Sequence, residues 1–384
     1  MCLLPAVNAR AQATESFLGM QIQKAPHSGL WEGPTDYSTN LKPTGVVKAV
    51  MLFALFPDTV IKEVPRDIYN RLVPESQAFL GRVSGGQMQL KVDTVDQWFP
   101  MNHPTTWPGY DCSGFKTQKA YLAEVISKAA GQVDFHKYDV VYVVGSLGTG
   151  LPNSPTFIAS PGDGIKVNGA EVRLGVTFGR DCRGANWGWQ TLCHETGHIF
   201  GLPDLYLFGV PAKPYKNIHA SVGFWDLMGF QAVGSPYLAW QQRKLTWLKD
   251  KDFAVIARGT KPITVWIRPI LSSDRKGYAA AAIPISDSEA IACEVRQRDP
   301  VDTNPADTGL LVYRVSLKAE SGHGPITILP AAADDLVPAQ ERKFITLYNA
   351  LYTAAATIEL KQEGVTISIL GRREDGAIQI RVAH

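Results

Sequence analysis

The sequence predicts an α/β domain built on a twisted mixed sheet, followed by an all-β, sandwich-like domain. Up to residue 250, apolar runs typical of buried strands alternate with segments of helical spacing. Beyond residue 250, short runs of alternating polarity follow one another, and no helical period is evident. A length of 384 residues is also long for a single core. We therefore divide the chain into a lead-in (residues 1–43), an α/β domain (residues 44–250) and a β-rich domain (residues 251–384).

The α/β domain begins after a segment of very different composition. Residues 14–43 are dense in Gly, Pro, Ser, Thr and Asn, which predicts an irregular segment on the surface. Residues 46–56 form a near-continuous apolar run ended by Pro57, which predicts a buried central strand, with a helix as the alternative. Helical spacing predicts further helices at residues 66–83 and 117–130, apolar patterning predicts strands at residues 87–95, 139–144 and 172–178, and residues 148–164 are loop-rich.

A last helix is predicted to close the α/β domain. Ser235 and Pro236 are the residue types preferred at the N-cap and in the first turn, so a helix is expected from there to Leu248. The β-rich domain follows as a series of predicted strands at residues 263–267, 279–285, 291–295, 309–315, 344–347, 357–360, 365–370 and 377–382.

Composition excludes some classes of partner. A net charge of +2 gives no argument for binding nucleic acid or a membrane surface, and no apolar run approaches the length of a membrane span. The five cysteines show no close-paired metal spacing. Cys182 and Cys193 are the pair suspected of forming a disulfide, with buried free thiols as the alternative. Composition predicts no oligomeric state.

Residues 1–13 carry short apolar and small side chains that resemble the end of a secretory signal with an Ala-x-Ala-like site. The apolar core is too short and lacks a basic leader, so this is not a working signal as it stands. We expect a secreted protein whose signal is truncated or absent in this chain, with a truncated or reset start as the alternative.

The motif that carries chemistry is His-Glu-x-x-His at residues 194–198. Residues four apart share one face of a helix, so the imidazoles of His194 and His198 can reach a single metal ion. Glu195 lies beside the first histidine and can point at a metal-bound water. The motif predicts a zinc site with a built-in general base, which needs one more protein ligand. A helix carrying two solvated histidines is the alternative.

Asp204 is the candidate for the third ligand. Gly201 can adopt the positive φ that ends a helix, and Pro203 prevents the helix from continuing, so the chain can turn Asp204 back towards the histidines. No glutamate that could replace it occurs between Glu195 and Glu289. His219 and Asp226 remain as alternatives without a spacing argument, and Asp204 itself could instead cap the turn.

These motifs resemble the M6 family of metallopeptidases, the immune inhibitor A type, within the metzincin group. Residues 194–204 fit the family's His-Glu-x-x-His-x-x-Gly-x-x-Asp, and the Trp-Asp-Leu-Met-Gly of residues 225–229 is similar to its Met-turn. The resemblance covers residues 45 to 320. Weaker similarity is found at residues 53–58, 79–90, 235–248, 294–297 and 309–313.

The resemblance implies a metzincin-like catalytic domain that uses zinc. His194, His198 and Asp204 would be the ligands, Glu195 the catalytic base, and Met228 an apolar floor beneath the site. Calcium is possible for a secreted relative, although the aspartates form no recognisable calcium loop.

The chain departs from the metzincin pattern at one position. Some metzincins carry a tyrosine two residues after the Met-turn methionine, as a metal ligand or transition-state donor, and Phe230 stands there in this chain. A transition-state donor must then come from elsewhere, with His219 and Tyr215 as candidates.

Three functions follow from these residues. The first is a zinc-dependent endopeptidase that hydrolyses protein or peptide substrates, with Glu195 as general base. The second is a zinc-containing protein whose β domain binds a partner or glycan, with little or no peptidase activity. The third is a structural zinc protein, which the presence of Glu195 argues against. Aromatic residues available for the second function, if they are not core residues, are Tyr278, Tyr313, Tyr348 and Tyr352.

Overall fold

The structure is a computed structural model that describes residues 16–17, 20–21, 29–146, 153–183, 187–211, 218–332 and 347–384. Its α-helices are α1 (Pro65–Val83), α2 (Phe115–Ala129), α3 (Gly188–Ile199) and α4 (Ala239–Lys244). Strands β1 to β9 are Ser16–Phe17, Met20–Gln21, Gly45–Leu55, Met88–Pro100, Val140–Gly145, Thr156–Ile158, Ile165–Val167, Ala170–Val172 and Leu174–Phe178. Strands β10 to β18 are Phe253–Val255, Ile263–Ile267, Ala280–Pro284, Glu289–Arg296, Gly309–Ser316, Ile326–Ile328, Thr357–Leu360, Val365–Arg372 and Ile378–Ala383.

The first large sheet is mixed, as predicted, with strand order β4-β3-β5-β9-β6. Strands β4, β3, β5 and β9 run parallel, and the edge strand β6 pairs antiparallel with β9. Strand β3 lies near the centre and is buried on both sides, which explains its near-continuous apolar run. Met51 and Phe53 share one core with α1 and α3, whereas Val50 and Leu52 share the other core with α2.

The C-terminal half contains two further sheets, β10-β12-β13-β14-β15 and β11-β18-β17-β16. Ile291 and Val312 of the first sheet share a buried cluster with Ile367 and Ile380 of the second, consistent with the predicted sandwich. The opposite face of sheet β10-β12-β13-β14-β15 packs towards the helices of the N-terminal half. There Tyr313 belongs to the same core as α1, α3 and α4, so one apolar core runs past residue 250. The division into three domains remains a prediction.

The last predicted helix is wrong in its bounds and in its cap. Helix α4 spans only Ala239–Lys244, and the hydroxyl of Ser235 donates to the carbonyl of Phe224 instead of capping it. The N–H of Ala239 donates to Oε2 of Glu294, on strand β13, at 2.6 Å. The acceptor at this helix start lies 55 residues away in sequence, which no local pattern indicates.

Several strand predictions also need correction. The segment at residues 148–164, predicted to be loop-rich, contains β6, and the predicted strand at residues 172–178 is interrupted between β8 and β9. Strands β10 and β15 are only three residues each and were not predicted. Of the predicted strand at residues 344–347, only Leu347 is described, and it lies in a bend.

Of the two alternatives for Cys182 and Cys193, the suspected disulfide is wrong and the buried thiols are confirmed. Both are buried free thiols that bond to different carbonyls: Cys182 Sγ to Gly179 at 3.2 Å and Cys193 Sγ to Ser76 of α1 at 3.8 Å. Cys193 faces α1 from within α3, and its sulfur contacts the backbone of α1. Among the described residues, Cys112 and Cys293 are also free and buried.

No helix in the described ranges is long and apolar enough to cross a membrane.

Candidate metal centre

Helix α3 ends at Ile199, one residue after its second histidine, and this ending sets the direction of the following chain. Gly201 has φ +96°, and its N–H donates to the carbonyl of His198 at 2.9 Å. The N–H of Leu202 donates to the carbonyl of Gly197 at 2.9 Å, which completes a Schellman motif. A Cβ atom at residue 201 would also come within 2.6 Å of Thr35. The predicted glycine-dependent turn is present and brings Asp204 back to the helix.

Three donor atoms converge at this turn. Oδ1 of Asp204 lies 3.1 Å from Nε2 of His194 and 3.2 Å from Nε2 of His198. Donors bound about 2.1 Å from a tetrahedral ion lie roughly 3.4 Å apart, so both distances from Asp204 to the histidines are compatible with a shared zinc ion. The side chains are nearly buried, with relative exposures of 3%, 9% and 8% for His194, His198 and Asp204.

The Nδ1 atom of each imidazole already has a hydrogen-bond partner. Nδ1 of His194 lies 3.0 Å from the carbonyl oxygen of Leu227, and Nδ1 of His198 lies 2.7 Å from that of Leu202. A carbonyl only accepts, so each Nδ1 carries the proton and a neutral ring aims its Nε2 lone pair at Asp204. Two lone pairs and a carboxylate oxygen repel one another unless a cation lies among them or both rings are protonated. This orientation suits a metal ion.

Without a metal ion, protonation of the two histidines relieves this repulsion. Burial opposes the charged imidazolium, but the Asp204 carboxylate outweighs burial and raises the pKa of His198 to about 9. The pKa of His194 is also raised, against the opposing effect of burial, by its hydrogen bond with Asp204. Burial would raise the pKa of Asp204, yet the two histidines lower it well below its usual range.

Glu195 lies close to the two imidazoles, but one oxygen of its carboxylate is bonded to a different residue. The carboxylate of Glu195 and the two imidazoles place their ligand atoms within 4.8 Å of one another, so geometry alone also admits Glu195 as a ligand. Its Oε2, however, accepts a hydrogen bond of 2.6 Å from Oγ1 of Thr156, on edge strand β6. Asp204 contacts both Nε2 atoms more closely, and we favour it as the third donor. Burial raises the pKa of Glu195.

The turn at residues 225–229, whose sequence resembles a Met-turn, lies directly beneath α3. Met228 is fully buried, and a Cβ atom added at Gly197 of α3 would come within 2.8 Å of its sulfur. The N–H of Leu205, next to Asp204, donates to the carbonyl of Met228 at 2.9 Å. The turn therefore fixes both the helix and the segment that follows it, while Leu227 orients the first histidine.

Asp226, an alternative ligand in the sequence, organises this turn instead. Its Oδ1 accepts from the N–H of Met228 at 2.7 Å and its Oδ2 from the N–H of Leu238 at 2.6 Å. Burial raises the pKa of Asp226 to about 7, against these two hydrogen bonds. Both oxygens are thus occupied by backbone donors and do not join the metal-binding group.

Replacing Asp226 by asparagine is expected to lower the free energy of unfolding by about 1–3 kcal/mol, because the amide NH₂ must face one of the two buried N–H donors. Urea denaturation measures the change. The matched control is Asp111→Asn, which alters an exposed carboxylate that accepts from the N–H of Ser113 at 2.9 Å. An equal change in both variants would contradict the assigned role of Asp226.

Of the two candidates for a transition-state donor, His219 and Tyr215, the structure describes only His219. His219 lies outside the metal-binding group; its Nδ1 is 2.9 Å from the carbonyl of Gly229 and its ring centroid 4.4 Å from that of Phe230. Burial lowers the pKa of His219. Tyr215 lies outside the described residues. Tyr206, to which the sequence assigned no role, has its ring inclined by 27° to that of His194 with centroids 6.2 Å apart, and its side chain hydrogen-bonds to Asp204.

Thr156 and Ser321 are two polar contacts of the site that the sequence did not indicate. Thr156 holds Glu195, and the hydroxyl of Ser321 is 3.0 Å from Oδ2 of Asp204. Threonine at the start of a short edge strand and serine in a turn are common features without functional motifs, so no signal in the sequence could have identified either residue.

No known protein-family model matches this chain, and no curated protein is significantly similar to it.

Proposed function

We propose that the chain is a zinc-dependent endopeptidase of the metzincin type, similar to the M6 family. The observation that supports this most strongly is the convergence of one Asp204 oxygen with the Nε2 atoms of His194 and His198, at 3.1 and 3.2 Å. Two imidazoles and one carboxylate are a donor set used by catalytic zinc sites, which keep a fourth position open. A second carboxylate, that of Glu195, lies beside this set.

Zinc, when bound, lowers the pKa of a water molecule and polarises the scissile carbonyl. The chain's own residues orient the metal ligands and transfer the proton. The carbonyls of Leu227 and Leu202 hold the two imidazoles in the tautomer that presents Nε2. Thr156 holds Oε2 of Glu195, which leaves Oε1 to take the proton of the attacking water and return it to the leaving amine.

The alternative function, binding through the β domain, has less support. Tyr313 is fully buried and donates to Oε2 of Glu294 at 2.9 Å, which makes it a core residue. Tyr278 and Tyr348 are 37% and 46% exposed, whereas Tyr352 is half-buried with its hydroxyl on the carbonyl of Pro330. Isolated exposed aromatics are ordinary on protein surfaces, and they do not by themselves indicate a binding site.

Metal removal tests the proposal. We expect about one zinc ion per chain and hydrolysis of casein by the wild type, loss of activity on dialysis against 1,10-phenanthroline, and recovery on adding zinc. Metal content is measured by atomic emission, and a quenched peptide library run beside casein detects a narrow specificity. A folded wild-type chain without zinc would overturn the metal centre, and zinc without hydrolysis of either substrate would overturn the peptidase function.

A further inference from the structure

The connection between β14 and β15, residues 317–325, reaches the candidate metal centre from the β-rich half of the chain. The hydroxyl of Ser321 donates to Oδ2 of Asp204 at 3.0 Å and accepts from the N–H of Asp204 at 2.8 Å. The N–H of Gly322 donates to the carbonyl of Asp204 at 3.0 Å. One short segment thus meets the carboxylate, the amide and the carbonyl of a single residue 117 positions earlier in the chain.

The two carboxylate oxygens of Asp204 face different partners, and the Tyr206 side chain also hydrogen-bonds to this carboxylate. Oδ1 faces the two Nε2 atoms, and Oδ2 accepts the Ser321 hydroxyl. A carboxylate that binds a metal through one oxygen can rotate about its own bonds unless its other oxygen is held. The hydroxyl also withdraws charge from Oδ2 and so tunes the ligand strength of Oδ1. Ser321 therefore occupies the position from which an outer partner orients a metal ligand.

The connection is itself held in place, which a positioning role requires. The N–H of Ser321 donates to the carbonyl of Leu30 at 2.8 Å, so the lead-in supports it from one side. On the other side, the N–H of Phe208 donates to the carbonyl of Gly322 at 2.9 Å. Gly322 has φ +75°, and a Cβ atom there would come within 2.1 Å of the Phe208 ring, so this close approach requires glycine.

We propose that Ser321 is a positioning residue for the metal ligand Asp204, and that the β-rich half of the chain thereby completes the metal centre. This inference rests on the metal centre assigned above, and it adds a residue from outside the segment that carries the zinc motif. A purely structural role, in which the serine only docks the connection, would leave metal affinity unchanged in chains that remain folded. The two roles are therefore separable by measurement.

The experiment compares zinc affinity in full-length variants by competition with a chromophoric chelator. Ser321→Ala is expected to bind zinc about 10–100-fold more weakly than the wild type, the usual cost of losing an outer hydrogen bond to a ligand. Ser321→Thr keeps the hydroxyl and is expected to restore most of the affinity. The matched control is Ser316→Ala, at the end of β14, whose hydroxyl accepts a long hydrogen bond of 3.3 Å from the N–H of Lys318.

A second measurement does not depend on affinity or on activity. Co²⁺ accepts the same nitrogen and oxygen donors, and its visible absorption reports ligand geometry. We expect the Co²⁺ spectrum of Ser321→Ala to shift, and those of Ser321→Thr and Ser316→Ala to match the wild type. Circular dichroism confirms that each metal-free variant is folded under the assay conditions.

The outcomes separate the inference from the proposal on which it rests. Wild-type zinc affinity and an unchanged Co²⁺ spectrum in folded Ser321→Ala would overturn the positioning role and leave the metal centre intact. The same weakening in Ser316→Ala would also overturn it, because the effect would not be specific to the Asp204 contact. A folded wild type that binds no zinc would overturn the metal centre and this inference together.

Discussion

Replacing Glu195 by glutamine is expected to lower kcat/KM by at least about two orders of magnitude while zinc stays bound, because general base catalysis typically contributes a factor of 10²–10⁴. Glutamine has the same shape and can still accept the hydrogen bond that Oε2 receives from Thr156 at 2.6 Å. Its amide cannot take a proton from water at neutral pH. The loss should therefore appear in the rate and not in the metal content.

Zinc content and casein hydrolysis are measured on the same preparations of the wild type, Glu195→Gln and Glu195→Ala. Glu75→Gln, which removes an exposed carboxylate from α1, is the matched control and should behave as the wild type. Full activity in a zinc-loaded Glu195→Gln protein would rule out the base. Loss of zinc from Glu195→Gln with the fold intact would indicate that Glu195 is a ligand, as its position within 4.8 Å of both histidines also allows.

The part of the site that the sequence predicts is the part built from local chain geometry. The spacing of His194 and His198 follows from the helical repeat, and the turn to Asp204 follows from the left-handed conformation that Gly201 adopts at φ +96°. The central strand β3 was equally predictable, because burial on both faces leaves a continuous apolar run. Each of these features is encoded within about ten residues of chain.

The remaining contacts depend on segments that are distant in sequence. Thr156, Ser321 and Glu294 act on residues 39, 117 and 55 positions away, and each is a polar side chain without a motif. The predicted start of α4 was wrong for this reason. Ser235 and Pro236 form a favourable local start, but α4 begins at Ala239, whose N–H donates to Glu294. Tertiary hydrogen bonds replaced the local cap, which pattern reasoning cannot foresee.

Strand β13, which provides Glu294, also carries Arg296, and Arg296 connects the turn at residues 225–229 to the β-rich half. Arg296 is fully buried; its Nη1 donates to the carbonyl of Trp225 at 2.8 Å and its Nε to Oδ2 of Asp302 at 2.7 Å. Nη1 also lies 3.4 Å from Oε1 of Glu294. One guanidinium therefore lies within ion-pair distance of two buried carboxylates and also holds the carbonyl of Trp225.

Replacing Arg296 by methionine, which keeps much of the apolar volume, is expected to lower the free energy of unfolding by about 3–5 kcal/mol. The reason is the pair of carboxylates left behind. Burial already raises the pKa of Glu294 and of Asp302, and Arg296 opposes both shifts. Without it, each carboxylate is a buried charge with no counter-ion. Urea denaturation gives the loss, with Arg66→Met as control, since its exposed pair with Asp96 should contribute about 1 kcal/mol or less.

The pH dependence of this loss distinguishes an unpaired charge from a simple packing defect. A carboxyl whose pKa in the folded chain lies above its unfolded value binds more protons when folded, so its contribution to stability falls as pH rises through that interval. Removing Arg296 should raise the folded-state pKa of Glu294 and Asp302 further. The gap in unfolding free energy between Arg296→Met and the wild type should therefore be largest at neutral to alkaline pH. It should narrow as pH falls through the raised pKa values. A gap that does not change with pH would show that lost packing around Trp225, and not the buried charge, sets the cost.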